Sequence, residues 1–142
     1  MAAMTDTPRW ISVTLSWSRL LPIARVALVS AFLIGGIQKL ADFPAAVAEQ
    51  ADFGLEPAWL WAAAAIIGEL GGSALVIIGR WAWLGAGGLG VLTVVSMLVA
   101  NNFWAQRGHD RFTATNAFFE QLGVIAGLVL ITVLSLRDQQ RG

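Results

Sequence analysis

Residues 58–100 read AWLWAAAAIIGELGGSALVIIGRWAWLGAGGLGVLTVVSMLVA, and the only charges in this stretch are Glu69 and Arg80. Gly79-Arg80-Trp81 divides it into two apolar runs, Ala58 to Ile78 and Ala82 to Ala100. About 20 residues of helix, at ~1.5 Å rise per residue, match the ~30 Å hydrocarbon layer of a bilayer. A backbone without water must satisfy its own N–H and C=O groups, so each run is predicted to cross the membrane as a helix. The three-residue break then forces a tight antiparallel hairpin. Runs that are apolar on every face argue against a water-soluble bundle, whose helices keep a polar side.

Two more runs flank this pair. Leu20 to Leu40 carries Arg25 near its start and Gln38-Lys39 near its end, and Phe118 to Leu136 carries Glu120 near its start. A cleaved signal peptide is the alternative for the first run, but the run is long and no clear cleavage site precedes Lys39. The expected fold is all-α: a polytopic membrane protein forming a four-transmembrane-helix bundle. It is one membrane domain over 1–142, with spans at about 20–40, 58–78, 82–100 and 118–136. Between spans one and two, Pro44 suits an early helical position and Gly54 a stop. Phe43, Val47 and Ala51 fall on one face there, which predicts a short interfacial helix.

Composition agrees. Hydrophobic residues make up 57% of the chain and charged residues 13%, against ~25% charged in soluble domains. Nine basic and nine acidic residues cancel, so nucleic acid is not an expected partner. The chain has no cysteine, which removes thiolate metal sites and thiol exchange of its own. His109 is the single histidine, too few soft ligands for a metal or haem centre. Outside the spans, Arg9, Arg19, Arg80, Arg137 and Arg141 lie on the side of the termini, and Lys39, Arg107 and Arg111 on the other. That bias places both termini in the cytoplasm by the positive-inside rule.

Small residues recur within the spans: Gly35 and Gly36, Gly68 and Gly72, Gly85 to Gly90, and Gly123 and Gly127. They are expected to be helix contact surfaces, because packing rather than hydrophobicity joins helices in lipid. Gly85, Gly87 and Gly90 also fit the spacing of a dinucleotide fingerprint, but that motif needs a preceding strand. Here it lies inside a membrane span.

Charges within the spans carry the functional reading. Arg25 lies roughly 7 Å and Glu69 roughly 15 Å from the terminal side, counting rise along each helix. An unpaired charge at such depth costs at least ~2.5 kcal/mol, so the two are expected to pair. The pair either locks spans one and two or leaves Glu69 to handle a proton or polar ligand; Arg25 alone could snorkel to the headgroups. A second polar group gathers at the opposite boundary: Gln38, Lys39, Asn101, Asn102, His109, Asp110, Asn116, Glu120 and Gln121. Phe103, Trp104, Phe118, Phe119, Trp59 and Trp61 stand around it. Such a set suits a quinone-like headgroup, and equally an ordinary interfacial belt.

The stretches Gly36-Ile37-Gln38-Lys39-Leu40 with Asp42-Phe43, Gly68-Glu69-Leu70-Gly71-Gly72 closed by Gly79-Arg80, and Asn116-Ala117-Phe118-Phe119-Glu120 leading to Gly127 resemble the DoxX family. The resemblance covers about Arg25 to Leu136. It implies a small four-helix protein of the bacterial inner membrane, multi-pass in the lipid bilayer. It also implies association with redox systems, some quinone-linked, and a redox-protein partner or homo-oligomer. Arg25, Lys39, Glu69 and Asn116 match recurrent polar positions of that family. With Asn102, His109 and Glu120 they form the candidate ligand-binding set. The expected function is a membrane subunit or anchor of a redox system, with quinone as the ligand to consider and no cofactor held by the chain itself. No self-contained catalytic site is recognisable. An assembly protein without a ligand, or a small-molecule transporter working as an oligomer, remains the alternative.

Overall fold

The computed structural model describes residues 7–141. Helices run as α1 (Arg9–Leu15), α2 (Leu20–Ala41), α3 (Phe43–Asp52), α4 (Ala58–Ile78), α5 (Ala82–Val99) and α6 (Gly108–Arg141), with a 3-10 turn at Phe103–Ala105. No strand occurs among the described residues. Four of these helices, α2, α4, α5 and α6, are long and apolar enough to cross a membrane. The protein is therefore an all-α, polytopic membrane protein with four spans.

Local chemistry explains the boundaries. Asp42 caps α3, its carboxylate accepting from the Ala45 N–H at 3.2 Å, and Pro44 sits in the first turn. Gly54, at φ +75°, ends that segment, a left-handed conformation that glycine adopts without strain. The α4–α5 hairpin turns on Gly79 at φ +78° and Trp81 at φ +60°. The fourth span differs from expectation. It belongs to a helix of 34 residues, roughly 50 Å long. Nothing between Gly108 and Phe118 breaks a helix, since that segment has neither proline nor a second glycine. The third connection is correspondingly short.

Helix α4 is central, packed against α2 on one side and α5 on the other, with α3 lying across its start. α6 packs mainly on α5 and touches α2. At the α4–α5 contact the backbones themselves meet: a Cβ added to Gly85 would lie 2.6 Å from the Gly72 carbonyl oxygen. Gly36 receives Leu70 of α4, Gly68 receives Leu92 of α5, and Gly127 receives Leu28 of α2. Gly87, Gly88, Gly90 and Gly123, expected at contacts, instead border open space. The core of Val29, Val76, Ala86, Leu89, Leu128 and Ile131 draws on all four long helices. Outward faces carry exposed Ile67, Val91 and Leu130, as lipid-facing surfaces require.

Candidate functional site

The geometry centres on Lys39 and Glu69. The Lys39 ammonium donates to both carboxylate oxygens of Glu69, at 3.0 and 3.2 Å, and the two side chains are only 20% and 15% exposed. Gly35 and Gly36 make room for this: a Cβ on Gly35 would stand 3.2 Å from Glu69 Oε2, and one on Gly36 3.3 Å from Glu69 Cβ. Helical side chains tilt toward their own N-terminus. Because α2 and α4 are antiparallel, Lys39 leans inward along α2 and Glu69 leans back toward it.

The same rule corrects the expected Arg25–Glu69 pair, which does not form. Arg25 leans toward the terminal side, away from Glu69. Its guanidinium donates to Ser135 Oγ of α6 at 2.8 Å and lies against Gly79, where a Cβ would come within 2.6 Å of Nη1. Arg25 thus joins α2, the end of α4 and α6, with its Nε buried and unpartnered.

Two cavities meet at the ion pair. One, of about 210 Å³, lies beneath α3 and between α4 and α5; the other, of about 260 Å³, lies among α2, α5 and α6. Both are lined by Lys39, Glu69, Leu92 and Ser96. The first adds Glu49, Gln50 and Trp61 to mostly apolar walls, and the second adds Gln121 and Thr93. Gln121 donates to Ser96 Oγ at 3.1 Å and accepts from Asn101 Nδ2 at 2.8 Å, tying α5 to α6. The ion pair is therefore a polar partition inside an apolar, two-lobed space.

The predicted ligand-binding set divides. Lys39 and Glu69 come together, whereas Asn102, His109, Asn116 and Glu120 line neither lobe. Asn102 accepts from Gln106 within its own loop, and His109 stacks on Phe112. His109, Asn116 and Glu120 are exposed on α6. Phe103, Trp104, Phe118 and Phe119 pack edge to face with one another, closing the loop rather than the cavity. Gln50 and Ser96 were not among the candidate site residues. A signal for Gln50 exists: Ala46 and Gln50, four apart, form the buried face of α3, while Phe43 and Ala51 stay exposed.

A model of the DoxX family matches residues 20–102, from the start of α2 through α5 and across both Lys39 and Glu69. The resemblance around Asn116 lies beyond the matched segment. No curated protein and no solved structure matches the chain. The match spans more than half of the sequence and contains the whole ion-pair wall of the cavity, and on it this membrane protein belongs to the DoxX family.

Proposed function

We propose that this chain is a membrane subunit of a redox system, resident in the bacterial cytoplasmic membrane, that seats a quinone-like headgroup at Lys39 and Glu69. One observation carries the reading: a mostly buried ion pair shared by two apolar cavities. Ionisable groups inside a membrane mark functional sites by default, because burying them is costly. The residues fit such a group. Lys39 and Ser96 offer donors, Glu69 offers an acceptor, and Trp61 offers an aromatic wall. A quinone would supply the electron-accepting chemistry that the side chains lack. The chain's own part is to bind it, orient it, keep water away and hold a proton at the Glu69 carboxylate or the Lys39 ammonium. Electrons would arrive from a redox-protein partner.

The cytoplasmic placement of the termini rests on the basic residues. Lys39 turns into the bundle, so Arg107 and Arg111 are left facing Arg9, Arg19, Arg80, Arg137 and Arg141 across the bilayer. Mass spectrometry of the protein gently extracted from native membranes tests the functional reading. Retained quinone, lost from Glu69→Gln and Lys39→Met, is expected. Folded wild-type protein without quinone, and quinone-dependent turnover indifferent to both substitutions, would reduce the pair to a tie between α2 and α4.

A further inference from the structure

The cavity carries hydrogen-bonding groups that the protein itself leaves unused. Gln50, on α3, is 9% exposed and faces the first lobe, yet its amide makes no hydrogen bond among the described residues. Its amide atoms are not sealed off from the lobe, so both are free to meet a ligand there. Ser96 faces both lobes. Its oxygen accepts from Gln121, which leaves its own O–H to donate into the space.

Charge narrows what these groups can meet. The charged side chains lining the lobes are Lys39, Glu69 and Glu49. Lys39 and Glu69 neutralise one another, with both carboxylate oxygens engaged. An anionic headgroup would have to draw Lys39 away and strand Glu69 among apolar walls, with Glu49 adding repulsion. A cationic headgroup at the ion pair would have to displace Lys39 from its carboxylate, and the remaining carboxylate, Glu49, is exposed and needs no such partner. A neutral headgroup disturbs neither and satisfies the unused groups. We propose that Gln50 and Ser96 form the recognition pair of this cavity and select an amphipathic ligand whose headgroup is neutral and bears carbonyl or hydroxyl oxygens. This rests on the cavity being a ligand site, but not on the ligand being a quinone.

The test uses the full chain in nanodiscs of neutral lipid, corrected for partition into empty discs. The probes are 4-decylbenzamide and 4-decylbenzoate, alike in ring and tail and different in charge, with a decyl-tailed benzoquinone alongside. The benzamide is expected to bind about tenfold more tightly than the benzoate. Gln50→Met and Ser96→Ala are each expected to weaken it about tenfold, with thermal unfolding unchanged. The chosen substitutions are small enough to keep the helices packed, and the unfolding curve reports any that are not. Equal binding of amide and carboxylate, binding of neither, or amide binding indifferent to both substitutions overturns the proposal. Amide binding without quinone binding supports it and removes the quinone reading. Quinone and carboxylate binding equally well does the reverse.

Discussion

Lys39 and Glu69 meet because their helices run in opposite directions. Each side chain tilts toward its own N-terminus, so residues on facing antiparallel helices converge when each lies C-terminal to the level where they meet. Arg25, lower on the same helix as Lys39, leans away from Glu69 and is held by Ser135 instead. The direction of lean, more than the reach of the side chain, decides which charge is neutralised.

Removing one member of the pair should be worse than removing both. Lys39→Met or Glu69→Leu alone strands a charge inside the bundle and is expected to cost about 2.5 kcal/mol or more. The double substitution should recover at least half of that loss. Thermal unfolding of the four proteins in one detergent measures the coupling. Additive losses would show that the two side chains do not depend on each other.

The α4–α5 contact makes two nearby glycines unequal. Gly85→Ala drives a methyl into the Gly72 carbonyl and Leu75, and should destabilise by about 1–3 kcal/mol. Gly87→Ala meets open space and should be neutral or stabilising by up to about 1 kcal/mol. Unfolding midpoints of the two variants check the contrast.

At the hairpin, Gly79→Ala combines a left-handed backbone with the guanidinium of Arg25 and should lower the midpoint clearly. Trp81 holds φ +60° without being glycine, a conformation costing about 1–2 kcal/mol. Trp81→Asn should therefore leave stability unchanged or raise it. A loss of stability larger than that of Gly79→Ala would mean that contacts of the indole dominate the turn.

Topology can be mapped directly, because the chain contains no cysteine. Glu56→Cys and Gln139→Cys put single thiols at exposed positions on opposite sides. In intact cells a membrane-impermeant maleimide is expected to label the first and spare the second. Labelling of both, or only of Gln139→Cys, would contradict cytoplasmic termini.

The spans and the short helix α3 were legible because both signals are local: length of apolar run, an early proline, a stopping glycine. The pairing of charges was not. Counting depth from the ends of separate runs placed Arg25 within reach of Glu69, but the vertical register of α2 against α4 is set by Leu70 seating on Gly36. That long-range contact leaves no periodic trace. Gln50 was hidden for a related reason, since Phe43, Val47 and Ala51 make a plausible apolar face and the buried one, Ala46 and Gln50, is less hydrophobic. His109, Asn116 and Glu120 do not gather around Lys39, because α6 holds all three side chains on exposed faces, and which face a helix turns outward is set by its packing against α5 and α2.

The early start of α6 has a mechanical consequence. About 20 residues suffice to cross the hydrocarbon, so α6, at 34 residues, has several turns to spare. Its segment Gly108–Ala117 precedes the apolar stretch and continues into it as one unbroken mast. Gln121 sits one turn past the foot of that mast, gripping Ser96 at the cavity wall. The start of α6 and the Ser96 contact at the cavity wall are thus joined through one continuous helix, which couples the position of the one to the other.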